Sequence, residues 1–400
     1  MMTTEALQTA LRQSENEVIA WRRWFHENPE LSMKEQRTSE KIRAEIERLG
    51  LPYERVGEYG LLARLDCGGP GRTVLMRADM DALPVDESEN NLAGPKRCVS
   101  QTPGVSHACG HDAHLAMQLG AMRVLCSLRE QLCGTVLFAF EQGEEIGGGV
   151  LAMLQALDKH HIDCCWGVHV YAGLAAGKIS VEPGSRMAAI SAFTITVVGR
   201  GGHASRPDLA VSPLMCAANI LVNLNNIWTC ELDPTKTVTL GIAAFRSGEK
   251  GNVIADEASF SGSLRYYDTA EGEKAFAAVK RVSECVAAAH RCQIRYDRIL
   301  QSSAVCNTPD CAALAAESIG ALLGGQVLGS CPPWFATDSM ACYLERWPGV
   351  YAFLGIADPA SGCGAGHHTR EFDLDDRVLA LGTAASVAYV TKQLDQKKEV

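Results

Sequence analysis

The chain has 400 residues, beyond the roughly 250–300 at which a single hydrophobic core stops growing, so two domains are expected. Hydrophobic residues at 47% and charged residues at 21% are the balance of a soluble globular enzyme. Lys+Arg 37 against Asp+Glu 47 leaves a net charge of −10 with no basic run or stripe, which argues against nucleic-acid and acidic-membrane partners.

The N-terminal segment lacks the basic, then apolar, then small-residue pattern of a signal peptide. Ala6 to Trp24 reads instead as a polar amphipathic helix, and residues 5–49 as one or two helices. No run of about 18 apolar residues occurs, so no transmembrane helix is predicted. A cytoplasmic chain is expected, and its sixteen cysteines are read as reduced, mostly small buried hydrophobes. His26-Glu27-Asn28-Pro29-Glu30 is not a zinc-protease helix, because its fourth residue is proline and its fifth is not histidine.

Residues 61–66 and 73–78 are short apolar runs split by Cys67-Gly-Gly-Pro-Gly-Arg72, the pattern of a hairpin or paired strands. Leu115 to Leu128 reads as helix, Thr135 to Phe140 as a continuous apolar strand, Gly147 to Ala156 as helix and Cys164 to Val170 as strand. This alternation predicts an α/β domain with a largely parallel, buried sheet. The pattern changes near Pro183-Gly184. Ala192 to Val198, 238–245 and 257–264 read as strands, and 211–228 and 271–290 as helices, giving an antiparallel α+β unit covered on one face. From about residue 298 helix and strand alternate again, at 309–323, 350–355 and 375–393. The expected order is therefore a catalytic domain over 1–184, an inserted module over 185–297, and the rest of the catalytic domain over 298–400. The polar end (Gln396, Lys397, Lys398) is expected to fray.

Residues 107–114 read His-Ala-Cys-Gly-His-Asp-Ala-His. Thiolate and imidazole at Cys109 and His111 suit zinc, manganese, cobalt or nickel, and suit calcium or magnesium poorly. Two side chains cannot hold an ion, so further ligands must come from elsewhere. Asp79 and Asp81 follow an apolar strand, where functional groups gather in doubly wound sheets. They are either turn and capping residues or carboxylates that orient a metal-bound histidine. Glu144 and Glu145 stand at the mouth of strand 135–140. Neighbouring side chains project differently, so one can bind metal while the other faces substrate, and a cation would offset their mutual repulsion. His169 closes another apolar strand, and His367 and His368 lie in a glycine-rich loop. His160, His161 and His290 read as surface residues. No phosphate-binding loop, nucleophile elbow or complete dinucleotide fingerprint is present. Thiolate, imidazole and carboxylate groups spread over three or four strand exits are the arrangement of a two-metal hydrolase.

These segments resemble the metal-dependent aminoacylase and carboxypeptidase-like amidohydrolases, in the branch that includes hippurate hydrolase, bacterial N-acyl-amino-acid amidohydrolases and plant auxin-conjugate hydrolases. The matching pieces are Met76-Arg-Ala-Asp-Met-Asp-Ala-Leu-Pro84, His107-Ala-Cys-Gly-His-Asp112, Glu144-Glu145, Gly167-Val-His-Val170, Gly201-Gly-His203, Asn252-Val-Ile254 and His367-His368, in the family's order from about residue 20 to 385. The resemblance implies two divalent transition-metal ions held by Cys109, His111, Glu145, His169 and His368. His368 is matched rather than His367 because it stands four residues before Phe372. Glu144 matches the general base. The implied fold is a two-metal exopeptidase-like α/β catalytic domain with an inserted α+β lid that carries dimer contacts, so a homodimer is expected. In that lid His203, Asn252 and Arg265 match residues that line the substrate or stabilise the oxyanion. Asp112 joins Asp79 and Asp81 as a carboxylate behind the ligands, and His107 and His114 are structural neighbours. Two segments depart from the branch's usual motifs: Glu141-Gln-Gly143 stands where Gln-Pro-Ala is common, and Ala336-Thr-Asp-Ser-Met340 where Gly-Ser-Glu-Asp-Phe is common.

The expected activity is hydrolysis of the amide bond of N-acyl amino acids or related small conjugates. The nearest alternative is a dipeptidase or carboxypeptidase on the same scaffold. A metal-binding protein without catalysis is disfavoured, because a pure binding site needs no free base beside Glu145.

Overall fold

A computed structural model describes residues 4–396 of the chain. Of the tail expected to fray, Lys397 and Lys398 lie outside the described residues. The chain forms two compact units. The first runs to Arg186, resumes over Cys306–Pro332 and continues from Asp338; the second is Met187–Val305 with Pro333–Thr337.

In chain order the first unit begins with helices α1 (Thr4–Glu27) and α2 (Gln36–Arg48). Strands β1 (Tyr53–Val56), β2 (Gly60–Asp66) and β3 (Thr73–Asp79) precede α3 (His111–Ser127). Then come β4 (Thr135–Glu141), α4 (Val150–Leu157), β5 (Cys164–Ala175) and β6 (Ile179–Ser180), and β7 (Gly184–Met187) stands where the chain changes unit. The second unit contains β8 (Ala189–Val198), β9 (Gly202–His203), α5 (Pro213–Cys230), β10 (Val238–Ser247), β11 (Val253–Ile254), β12 (Glu257–Tyr266), α6 (Thr269–Ala289) and β13 (Gln293–Ser302). After β14 (Val305–Asn307) the first unit is completed by α7 (Pro309–Leu323), α8 (Met340–Leu344), β15 (Gly349–Ala357) and α9 (Val378–Leu394).

The first unit is built on a seven-stranded sheet, ordered β1-β2-β4-β3-β5-β15-β6. Its centre, β4-β3-β5-β15, is parallel, and the flanking pairs are antiparallel. Val74, Leu75 and Met76 on β3 and Val136 to Phe140 on β4 are all buried, as continuous apolar runs in a covered parallel sheet must be. The α/β reading of this region therefore matches. Neither the hairpin nor the strand pair expected across Cys67–Arg72 forms: β4 lies between β2 and β3, antiparallel to one and parallel to the other. A run of glycines predicts a reversal of the chain but not which strand later enters the gap.

The second unit is a four-stranded antiparallel sheet, β10-β12-β8-β13. Helices α5 and α6 pack on one face, where Phe193, Ile195, Phe260 and Leu264 meet Ile220, Leu224, Phe276 and Val279. The expected boundary after residue 297 falls inside β13. That strand is mostly exposed, and its short polar–apolar alternation through Ile294 and Tyr296 breaks at the irregularity between Tyr296 and Arg298.

Candidate metal centre

The carboxyl ends of β3, β4 and β5, the N-terminus of α3 and the loop before Phe372 supply the side chains of a polar cluster in the first unit. Gly110 makes the entry into α3. Its φ of +94° is left-handed, and an added Cβ would lie 2.2 Å from Val170 Cγ2 on β5. Only glycine permits that turn so close to the strand, and the turn places Cys109 and His111 beside His169. Cys109 Sγ lies 3.6 Å from His169 Nε2. His169 Nδ1 is 2.6 Å from the Val170 carbonyl, to which it donates, so its lone pair is on Nε2 and faces the thiol.

Three overlapping triads have donor atoms within 4.8 Å of one another: Cys109, His111 and His169; Cys109, Glu145 and His368; and His111, Glu144 and Glu145. A fourth, Asp79, His111 and His114, is of another kind. His114 Nε2 accepts the Val170 N–H at 3.0 Å while Nδ1 donates to Asp79 at 2.7 Å, so both ring nitrogens are engaged. The two C-terminal histidines also separate. His367 Nε2 accepts the Ala172 N–H at 3.2 Å, and burial pulls this imidazole down to about 3, so it is neutral. His368 has a left-handed φ of 63° and its Nε2 lies 3.5 Å from Glu145 Oε1.

The electrostatics of the cluster call for a cation. Burial pushes Glu145 up to about 7, with Asp81 and Asp79 acting in the same direction against His111. Burial and the neighbouring Asp338 hold Glu144 well above the carboxylate range. Burial raises the Cys109 thiol. Burial disfavours charge on His111 too, but Asp79, Cys109 and Asp81 outweigh it and raise its pKa well above the ordinary value. His111 Nε2 and Glu145 Oε1 are buried and make no hydrogen bond among the described residues, and His111 Nδ1 faces the Asp81 carboxylate at 3.3 Å. Buried polar atoms are rarely left so. Thiol, imidazole and carboxylate donors converging in a cluster that is buried at Cys109, His111 and His169 and open at His368 fit divalent transition metals.

Of the three aspartates expected behind the ligands, Asp81 and Asp79 face the cluster. Asp81 Oδ1 lies 3.3 Å from His111 Nδ1, and its carboxylate accepts the backbone N–H groups of Glu144 and Glu145 at 3.1 Å each and the Ser32 hydroxyl at 2.6 Å. Asp79 holds His114 and accepts from Arg77 Nη1 at 2.8 Å. Asp112 points away from the cluster: its Oδ2 accepts from Arg22 Nε at 2.9 Å and lies 2.8 Å from His26 Nδ1.

Sequence reading missed the buried support of the glutamates. Arg77, 3% exposed, reaches Glu141 at 2.9 Å through Nε and the Ser339 hydroxyl at 2.6 Å through Nη2. The Ser339 N–H donates to Glu144 Oε1 at 2.9 Å. A cation inside an apolar strand was the available signal, since buried arginines need counter-charges. The two departures from the branch's motifs, at Glu141 and Ser339, thus meet at one arginine.

The second unit brings His203 and Asn252 together. His203 pairs with Val253 across β9 and β11, and the Ala204 N–H donates to the Asn252 carbonyl at 3.1 Å. His203 is exposed, with Nδ1 2.8 Å from Ser205 Oγ. Arg265 lies elsewhere in this unit, on β12, where it donates to the Thr337 hydroxyl. It forms no ion pair with a carboxylate among the described residues.

A family model, peptidase family M20/M25/M40, matches residues 75–392. Among curated proteins, the chain is 31% identical to thermostable carboxypeptidase 2 of Saccharolobus solfataricus over 98% of this chain and 99% of that one. It is 36% identical to an N-acyl-L-amino acid amidohydrolase of Geobacillus stearothermophilus over 67% of this chain and 71% of that one. Among solved structures, a dinuclear metal-binding peptidase from Bacillus subtilis superposes with a TM-score of 0.80 at 27% identity, covering 96% of this chain and 99% of that one.

Proposed function

The chain belongs to peptidase family M20/M25/M40, and from that premise we propose that it is a dinuclear metal-dependent hydrolase of N-acyl amino acids. Relatives named as amidohydrolase and carboxypeptidase both break an amide bond next to an amino acid, which fixes the reaction class. One observation carries the assignment of roles. Glu145 belongs to two donor triads, one with Cys109 and His368 and one with His111 and Glu144, whereas Glu144 belongs only to the second and has its Oε1 taken by the Ser339 N–H. That arrangement supports Glu145 as a ligand and Glu144 as a base, with Cys109, His111, His169 and His368 completing the donor set.

When bound, two divalent cations here polarise the scissile carbonyl and lower the pKa of water. Glu144 accepts a proton from the attacking water and returns it to the leaving amine. Burial and the neighbouring Asp338 raise its pKa, which strengthens it as the acceptor in the first of those transfers. Asp81 and Asp79 orient the histidines behind the site. His203 donates a hydrogen bond to the tetrahedral oxyanion, Arg265 holds the substrate carboxylate, and Asn252 lines the substrate. The half-buried Arg265 guanidinium, without an acidic partner among the described residues, supports an anionic ligand.

The second unit is read as a lid and dimerisation module. The support is its edge strand β10, whose Ile242 and Phe245 are exposed, and α5, whose Met215 and Val222 are exposed. All sixteen cysteines are free, as in a reducing compartment, and no helix among the described residues is long and apolar enough to cross a membrane; both support a cytoplasmic location.

A panel of acetyl-, benzoyl- and aminoacyl-amino acids, assayed with zinc, manganese, cobalt or nickel added back, tests the reading. Faster release from acyl than from aminoacyl substrates is expected. A preference for free dipeptides would make it a dipeptidase.

A further inference from the structure

We propose that Ser339 and Glu141 are positioning residues for Glu144, and that a buried ring with Arg77 fixes the base through the Ser339 peptide. The proposal rests on Glu144 acting as the base. Three side chains close the ring: Arg77 Nη2 donates to Ser339 Oγ at 2.6 Å, Ser339 Oγ donates to Glu141 Oε1 at 2.8 Å, and Arg77 Nε donates to Glu141 Oε2 at 2.9 Å. Tyr343 Oη donates to the same Glu141 oxygen at 2.6 Å. Arg77 Nη1 faces Asp79 at 2.8 Å and Asp338 at 3.3 Å. Asp338 in turn accepts the Tyr351 hydroxyl at 2.6 Å and the Met340 N–H at 2.7 Å.

Ser339 is thereby held through its side chain and through the residues on either side. Its backbone N–H is the hydrogen bond that Glu144 Oε1 receives, at 2.9 Å. That bond has two consequences. It fixes the rotamer of a carboxylate that lies on a short turn after β4, and it occupies one oxygen, leaving the other for the proton. Among the described residues no hydrogen bond or ion pair joins Arg77, Glu141 or Ser339 to Cys109, Glu145 or His368, and the ring approaches His111 only through Asp79, whose Oδ2 lies 3.8 Å from His111 Nε2. Disturbing it should therefore slow proton transfer without removing metal. Misplacing a reacting group by about 1 Å costs on the order of a hundredfold in rate.

The ring also has a chemical symmetry that can be tested. Arg77 meets a carboxylate at 141 and a neutral hydroxyl at 339. A carboxylate at 339 and a neutral amide at 141 would preserve the charge and allow a donor and an acceptor between the two positions.

The experiment measures kcat, KM and metal stoichiometry for Ser339→Ala, Ser339→Thr, Glu141→Gln and the double variant Glu141→Gln/Ser339→Asp, in the metal-loaded protein. Ser339→Ala and Glu141→Gln should lower kcat by about 10- to 100-fold, with KM within about threefold and the metal-to-protein ratio unchanged. Ser339→Thr, which keeps the hydroxyl, should stay within about threefold of wild type in kcat. The double variant should recover most of the kcat lost in Glu141→Gln. Wild-type kcat in folded Ser339→Ala, or a double variant no faster than Glu141→Gln, would overturn the proposal. If Glu141→Gln does not fold, Ser339→Ala against Ser339→Thr decides, and equal kcat in those two counts against it. Glu144→Gln measured alongside separates the layers. If it retains turnover, the base assignment itself fails; if it is inactive while Ser339→Ala is normal, only the positioning claim fails.

Discussion

Asp81 Oδ1 lies 3.3 Å from His111 Nδ1, and the same carboxylate accepts the N–H groups of Glu144 and Glu145 at 3.1 Å. One buried side chain therefore orients a candidate ligand from α3 and the glutamate turn after β4. Asp81→Asn keeps the size but loses the charge and one acceptor. Metal affinity should fall by about 10- to 100-fold, the usual loss when a partner behind a ligand is replaced. Competition with a chromophoric chelator measures it, and an unchanged affinity would remove Asp81 from this role.

Gly110→Ala should destabilise the protein by more than about 1 kcal/mol. The positive φ and the Cβ position 2.2 Å from Val170 Cγ2 both act against it. Because the turn sets Cys109 beside His169, metal content should fall as well. Gly241→Ala, with nothing within 4 Å of the added Cβ, serves as the control and should be close to neutral. Denaturant midpoints compare them, and equal effects would mean that the Gly110 turn is not constrained.

Arg265→Ala should raise KM for N-acyl amino acids by about 10- to 100-fold, from the 1.5–3 kcal/mol of a hydrogen bond to a charged group. The motive is its half-buried guanidinium without a carboxylate partner among the described residues. The corresponding C-terminal amides should respond little. An equal rise for both substrate series would rule out carboxylate recognition.

Acid should weaken the fold through Glu87. Burial alone would raise its carboxyl, but His26, Lys96 and the Ser100 N–H bring it from 4.5 down to about 2. A depressed folded-state value means that its stabilisation is present above about pH 4.5 and is lost as pH falls toward 2. Glu87→Gln should therefore lower the urea midpoint of the metal-free protein at neutral pH, and the gap from wild type should close across that window. A gap that does not change with pH would contradict the assignment.

Much of the architecture was legible because apolar strands and helices alternate where the sheet is buried, and because the alternation stops near Pro183 where the second unit begins. Donor chemistry singled out the Cys109 and His111 pair and the adjacent glutamates, and the structure groups their donor atoms. What escaped were relationships between distant residues. Nothing local to Asp112 reveals that Arg22 and His26, some 90 residues earlier, claim its carboxylate. Nothing local to Ser339 reveals that it sits on Arg77, 262 residues away. Strand order has the same character, since β4 enters between β2 and β3 from beyond a helix. β13 was missed because its alternation is short, over Gln293 to Asp297, and ends at the irregularity between Tyr296 and Arg298.

The central claim is that Glu144 moves the proton in a centre whose metals are held by other residues. Its most direct test is the kcat of Glu144→Gln on an N-acyl amino acid, measured at the same metal-to-protein ratio as wild type. The account predicts two equivalents of metal in both proteins and a kcat at least about a hundredfold lower in the variant, the scale of general acid–base catalysis. Comparable kcat at equal metal content would contradict it.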